Sequence, residues 1–361
     1  MRHTEKHLHR LGLLLATSGA RVRRLAAQST GKDLLAGLAE LGAPRALLTT
    51  AASLAESEAP AVLSSVSEAG WRWVIPEDDD YPRLLRAISD PPLGLFVRGR
   101  LGESKIAAVV GSRKASPYGK QVARLLGEEL GRAGVVVVSG MARGVDREAH
   151  EGALAAGGES WAVWGTGPDR VYPAEHRDLA ERLAASGALL TEYPPGTPPR
   201  RHHFPERNRI LAGVASAVVV VEAAARSGAL VTARLALEEG REVLAVPGNI
   251  FSELSVGPNT LLRVGARPLL TPRDLFDTVG ESPLQGVNAG TESGLLKFVP
   301  PAEALTADEI AARSGAPVGE VLAELLRLEL SGHLRRESDG RYLRTKARIP
   351  GASSHGGGGG S

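Results

Sequence analysis

The sequence contains no cysteine, which excludes disulfides, cysteine-ligated zinc sites and thiol catalysis together. Aromatic residues are scarce, at 4%, so any that falls outside an apolar run stands out. Neither sign of charge dominates: 43 Lys and Arg stand against 41 Asp and Glu, a net charge of +2. Affinity for a polyanion must then come from local clusters and not from the total charge. No apolar run is long enough to cross a bilayer. The most continuous, Val135 to Val138 and Ala217 to Val221, fall far short of the roughly 20 residues needed. The basic first residues are not followed by an apolar stretch and a small-residue cleavage site, so no secretory signal is read. A soluble, cytoplasmic protein without a membrane partner is expected.

What is present, over 361 residues, is enough chain for two or three domains. Residues 1–70 read as short helices: leucine-rich segments (Leu11 to Leu15, Leu34 to Leu41) recur between Gly, Ser and Thr breaks without strand-like alternation. The next stretch, punctuated by Pro76, Pro82, Pro91 and Pro92, reads as a connecting segment with one short helix. From about Ser104, six apolar runs (KIAAVVG, GVVVVSG, ESWAVWG, GALLTEY, SAVVVVEA and REVLAVPG) alternate with helical segments. Runs that are apolar without alternation predict strands buried on both faces, and their alternation with helices predicts an α/β domain with a doubly wound, mostly parallel sheet. That domain spans 71–280, and a polar linker covers 281–294. In 295–347, Thr306 caps one helix and Gly315 ends it, Val318 to Leu328 forms a second, and Asp339-Gly340 turns a hairpin: the order of a winged helix-turn-helix. Residues 348–361 form a glycine-rich, low-complexity tail.

In open doubly wound sheets ligands bind outside the carboxyl ends of the strands. The residues following the strands are GSRKAS (Gly111, Ser112, Arg113), SGMARGVD (Ser139, Gly140), GTGPDRVYP (Gly167), a long segment rich in Pro and Arg, EAAARSGALVTA (Arg226, Ser227, Gly228) and VPGN. Glycine lets a backbone approach a ligand closely, hydroxyls donate to phosphate oxygens, and a helix starting just beyond adds its free amides. Tight turns use glycine anyway; it is the repetition along one sheet edge that points to phosphate. The densest cationic cluster is Arg200, Arg201, Arg207 and Arg209, with His202, His203 and a lone Glu206, and Phe204 in its midst. Arginine forks match phosphates and an aromatic face stacks a base. On the alternative reading Phe204 plugs the core, Arg209 pairs with Glu222 or Glu192, and Arg113 bridges to Asp146 or Glu192.

Enzymatic signatures are missing. There is no P-loop lysine, no acid after the second strand to bind a ribose, and no G-x-S-x-G elbow. Asp146 and His150 share a helix face, but a packing role for that histidine is favoured over a catalytic dyad. No catalytic residue, metal or cofactor is expected.

The segments VVGSRKASPYG, SGMARGVDREAH, GTGPDRVYP, HHFPERNRILAG, SGALVTARLALEEGREVLAVPGN and GPNTLLRVGA, in this order, resemble the motif series of the DNA-processing protein A (DprA/Smf) family. Met141 stands where Leu is usual, and GNIFSELSVGPN is looser than the family pattern. The resemblance implies a Rossmann-like core that binds single-stranded DNA in a basic pocket, homodimerises, and loads the recombinase RecA onto strands taken up in natural transformation, without enzymatic activity. It also implies that 1–70 is a SAM or helix-hairpin-helix-like accessory domain. Carried over by motif, the DNA site comprises Gly111, Ser112, Arg113, Ser139, Gly140, Gly167, Arg201, Phe204, Arg207, Asn208, Arg209, Ser227 and Gly228. The rival is a nucleotide phosphoribohydrolase on the same type of sheet, but EAAARSGALVTA lacks the double glycine and acid that such an enzyme uses. A third reading, a transcription factor acting through the C-terminal module, suits its acid-rich second helix poorly. The apolar segment Thr260 to Leu270 is the candidate dimer surface.

Overall fold

The computed structural model describes residues 4–17, 19–29, 33–102, 104–279, 295–300, 303–330, 333–337 and 339–344. The segments read as linker, 281–294, and as tail, 348–361, lie outside the described residues. The chain divides into two compact units, 1–284 and 285–361.

The first unit is built on a nine-stranded sheet. Its strands are β1 (Arg72–Val74), β2 (Leu95–Gly99), β3 (Ile106–Val110), β4 (Val136–Ser139), β5 (Ser160–Val163), β6 (Ala188–Thr191), β7 (Ala217–Val220), β8 (Glu242–Ala245) and β9 (Arg267–Pro268), in the order β1-β2-β6-β5-β4-β3-β7-β8-β9. From β6 across to β9 every pairing is parallel, and β3 lies between β4 and β7. The winding therefore reverses between β3 and β7, the switch point of a Rossmann-like doubly wound sheet. All six apolar runs form strands. Alternate residues explain why they read as unbroken. Ala107, Val109, Val137, Val219 and Leu244 pack against Ala123, Leu126 and Ala149 of helices Pro117–Arg132 and Val145–Ala155 on one face. Ala108, Val110, Val138 and Val218 meet Ile210, Leu211 and Ala233 of helices His203–Val214 and Gly228–Glu238 on the other. With both faces covered, polar residues have no place in the strand interiors.

The connecting segment departs from expectation. Its short helix is present (Arg83–Arg86), but the flanking runs are β1 and β2, which extend the sheet by antiparallel pairing on β6. Strands of three and five residues are too short for periodicity to reveal. Their pairing is set by tertiary burial: the rings of Trp73 and Phe96 lie 4.6 Å apart, in one cluster with Leu11, Leu38 and Leu63 of the N-terminal helices.

Those helices are Glu5–Ala16, Ala20–Gln28, Leu34–Glu40, Arg45–Ser57 and Ala59–Glu68. They join the sheet body through two arginine forks as well as apolar contact. Arg10 grips Glu77 (2.8 and 2.9 Å) and Arg23 grips Asp90 (2.9 and 2.7 Å).

In the second unit a 3-10 turn (Leu296–Phe298) precedes helices Ala307–Ser314 and Val318–Leu330 and a hairpin of Leu334–Arg336 with Tyr342–Arg344. Thr306 and Glu309 form a reciprocal capping box, and Gly315 ends the helix in the left-handed conformation, φ 71°. Val299, Ile310, Leu325, Leu334 and Tyr342 share its small core. This is the winged helix the spacing predicted.

Candidate nucleic-acid interface

The loops leaving the carboxyl ends of β3, β4, β5 and β7 and the start of helix His203–Val214 meet at the switch point. The β3 loop is tied to the end of β7 by the Ser112 amide, which donates to the Glu222 carbonyl (2.7 Å), and to helix Val145–Ala155 by the Val145 amide, which donates to the Ser112 carbonyl (3.2 Å). Held by this turn, Arg113 is exposed. The bridge from Arg113 to Asp146 or Glu192 does not form: Arg113 makes no ion pair with a described residue, and its guanidinium carbon lies 5.1 Å from the centre of the Phe204 ring. Phe204 is half-buried, with Tyr172 5.4 Å away at a 39° tilt. Arg200 and Arg201 are exposed just ahead of the helix and also lack an ion pair among the described residues. An unpaired guanidinium beside a half-exposed aromatic ring is an arrangement that can take a phosphate and a base together.

Beneath this surface lies a second, buried layer. Arg207 is 3% exposed. One of its terminal nitrogens donates to the Gly140 carbonyl (3.1 Å), while its Nε has no partner. Burial pushes its pKa down to about 10, against the opposing pull of Asp146. Asp146 in turn accepts from the Gly140 and Ala142 amides (3.2 Å each), and burial raises its pKa. At Gly140 an added Cβ would stand 2.5 Å from the Arg207 guanidinium and would have to displace it. Gly144, at φ 75°, turns the loop into the helix where a Cβ would lie 2.2 Å from the Ser112 carbonyl oxygen. Between them Met141 adopts φ 60°, a conformation costly for a non-glycine residue.

The predicted site residues thus divide. Ser112, Arg113, Arg201, Phe204, Ser227 and Gly228 are exposed or half-exposed, and Gly111 is half-buried at the root of its loop. Ser227 caps helix Gly228–Glu238 by accepting from the Ala229 amide (3.3 Å). Ser139, Gly140, Gly167, Arg207, Asn208 and Arg209 are buried and act as scaffold. The Ser139 hydroxyl donates to the Val109 carbonyl (2.6 Å). The Gly167 amide donates to Thr197 (3.0 Å). The Asn208 side chain donates to the Gly228 carbonyl (3.1 Å). Arg209 pairs with Glu192 and with Asp90 (3.3 Å), so its charge is already used inside the fold. Sequence reasoning missed Tyr172. Its signal was its position: one of five tyrosines, in the loop after β5.

Two further side chains near the loops, Glu222 and His150, are also committed. Glu222 accepts from the Ser116 amide (2.9 Å) and hydroxyl (2.5 Å). His150 makes no dyad with Asp146: its Nδ1 meets the Ser160 hydroxyl (2.7 Å), and burial drives its pKa down to about 3.

Fold and site together define a Rossmann-like α/β protein that displays arginines and an aromatic ring along its switch-point edge and carries a winged-helix unit. Comparison with known proteins narrows this. The family described as DNA recombination-mediator protein A matches residues 72–280, and the DprA winged helix domain matches 289–340. The chain belongs to the DNA-processing protein A family. It is 41% identical over 290 residues to Protein Smf of Escherichia coli strain K12, covering 76% of this chain and 77% of that protein. Among solved structures it is similar to DNA processing protein A from Streptococcus pneumoniae (33% identity, TM-score 0.67, 77% of this chain and 98% of that one). It is also similar to the protein from Helicobacter pylori whose structure was described for its single-stranded DNA binding mode (28% identity, TM-score 0.52, 58% and 96%). No helix among the described residues is long and apolar enough to cross a membrane.

Proposed function

We propose that this protein binds single-stranded DNA along the switch-point edge and passes the strand to a RecA recombinase during natural transformation and recombination, as a cytoplasmic homodimer without catalytic activity of its own. The observation that carries the binding reading is Arg113, exposed and without an ion pair, held 5.1 Å over the Phe204 ring. Arg113 and Arg201 contact phosphates, Phe204 stacks a base backed by Tyr172, and Ser112, Ser227 and Gly228 supply hydroxyls and amides. The H. pylori relative's described binding mode supports the choice of a single strand. Exposed Val264 (69%) and Leu270 (72%), beside edge strand β9, support a copy-to-copy contact in the segment Thr260 to Leu270. In the winged helix, Val318, Leu322 and Leu326 are exposed on the second helix, with Glu320 beside them. An apolar, acidic face of this kind suits a protein partner better than a DNA groove.

A gel-shift titration with single- and double-stranded oligonucleotides at two salt concentrations tests the reading. Preferential binding of the single strand, weakening as salt rises, is expected. Equal affinity for both forms would overturn the single-strand reading, and release of free base from purine monophosphates would replace it with the phosphoribohydrolase reading.

A further inference from the structure

The loop after β8 has no role in the cradle described above. Its tip carries Ile250 and Phe251, 80% and 91% exposed. Of the other phenylalanines, Phe96 and Phe276 are in the core. The loop is nevertheless firmly built. The Gly248 amide donates to Asn259 Oδ1 (3.2 Å) and Asn259 Nδ2 returns a bond to the Gly248 carbonyl (3.0 Å). The Phe251 amide donates to Asn249 Oδ1 (2.9 Å), an Asx turn that fixes the tip. At the far side the Ala223 amide donates to the Leu254 carbonyl (2.7 Å) and the Gly257 amide to the Ala223 carbonyl (2.8 Å), stitching this loop to the one after β7. An aromatic ring is thus held in water by an ordered loop, without apolar cover from a described residue.

Its surroundings are cationic and aromatic. β8 is two strands from β3 on the same carboxyl edge, a lateral step of about 10 Å. Between them stands Arg226, and on the β3 side Lys114; both are exposed and without an ion pair among the described residues. Tyr118, 51% exposed, donates its hydroxyl to the Pro247 carbonyl (3.3 Å), which sets a second ring against the base of the loop. Cations interleaved with aromatic faces along one edge are the pattern by which a protein tracks a single strand.

We infer that Phe251 is a second base-stacking platform for single-stranded DNA, reached by a strand that leaves the Arg113–Phe204 cradle and runs past Lys114 and Arg226. This rests on the reading of that cradle as a DNA site, and it lengthens the binding path across the switch point. A strand that fills only the first cradle does not reach Phe251; a longer one does.

The test uses the full chain and fluorescence anisotropy with labelled oligothymidine of about 3 and about 20 nucleotides, lengths that bracket common single-strand site sizes. Phe251→Ala is expected to weaken the long oligonucleotide by roughly 5- to 150-fold, the range for loss of one stacked base, and to leave the short one unchanged. Phe251→Trp retains the long-strand affinity, and its added tryptophan fluorescence is quenched by the long strand. Ile250→Ala has little effect on either. Arg113→Ala weakens both lengths. If Phe251→Ala binds both lengths like wild type while Arg113→Ala loses both, the platform is refuted and the cradle stands. If Arg113→Ala loses neither, the cradle fails and the platform with it. If Phe251→Ala and Ile250→Ala both convert a dimer to monomer in sedimentation velocity, the tip is a contact between copies, and the inference is overturned.

Discussion

Consider Arg113→Ala and Phe204→Ala, singly and together, in single-strand binding measured as a function of salt. Arg113 is exposed and lacks an ion pair among the described residues, so its charge is available to one phosphate. Losing a charge-assisted hydrogen bond costs about 1.5–3 kcal/mol, a drop in affinity of roughly 10- to 150-fold. The phosphate released also lowers the slope of log K against log salt by about 0.7 for a single strand. Between about 50 and 200 mM salt the gap between wild type and variant should therefore narrow by about 2.6-fold. Phe204→Ala removes a stacked base, about 1–3 kcal/mol, and leaves the slope untouched because no charge is lost. The two side chains are in cation–π contact at 5.1 Å, and each holds the other in place. The double variant should then lose less than the sum of the singles, by about 0.5–1 kcal/mol. Circular dichroism spectra and melting curves establish that each variant is folded. An unchanged salt slope for Arg113→Ala, or strict additivity in the cycle, would refute the argument that one phosphate and one base are held jointly at this point.

Arg209→Met strands Glu192, 5% exposed, without its buried partner. Stability should fall by about 3–5 kcal/mol, seen as a lowered Tm, while the salt slope of DNA binding stays at the wild-type value; a changed slope with an unchanged Tm would contradict the scaffold role. His150 tests burial through pH. Its folded pKa of about 3 lies below the 6.5 of the free side chain, so the unfolded chain binds the extra proton and stability is lost as pH falls from about 6.5 toward 3. Against His150→Gln, wild type should lose up to about 1.4 kcal/mol more per pH unit in that window. Parallel denaturation curves from pH 7 to 5 would show the ring to be solvated.

Much of the fold was legible because both-face burial writes itself into sequence as unbroken apolar runs. β3 to β8 announced themselves in this way, and the winged helix did so through Thr306, Gly315 and Asp339-Gly340. β1, β2 and β9 did not. They have three, five and two residues, and each is defined by the strand it pairs with instead of by its own pattern. The same limit applied at the site. Arg113, Arg201, Arg207 and Arg209 are one residue type within matching motifs, yet two are open to solvent and two are buried. What separates them are partners far away in sequence: Asp90 and Glu192 for Arg209, and the Gly140 turn for Arg207. No local window contains that information.

The buried pair explains why the exposed residues stand where they do. Arg207 and Asp146 are both enclosed, and both grip the Gly140 turn, one at its carbonyl and one at its amide. That turn leads through Gly144 into the contact with Ser112, the residue before Arg113. Arg207 also begins the buried stretch of the helix whose first turn carries Phe204. A single buried cation therefore braces both halves of the cradle, the cationic loop and the aromatic one. Its charge is only partly compensated: no carboxylate of a described residue lies within ion-pair distance of it, and burial depresses its pKa to about 10. On the proposed reading, a phosphate arriving at Arg113 meets an exposed guanidinium with no ion pair among the described residues, above a buried Arg207 whose charge Asp146 partly offsets. With a net charge of only +2, the molecule has little long-range field to draw a strand in. The local potential of the braced cradle has to supply that attraction.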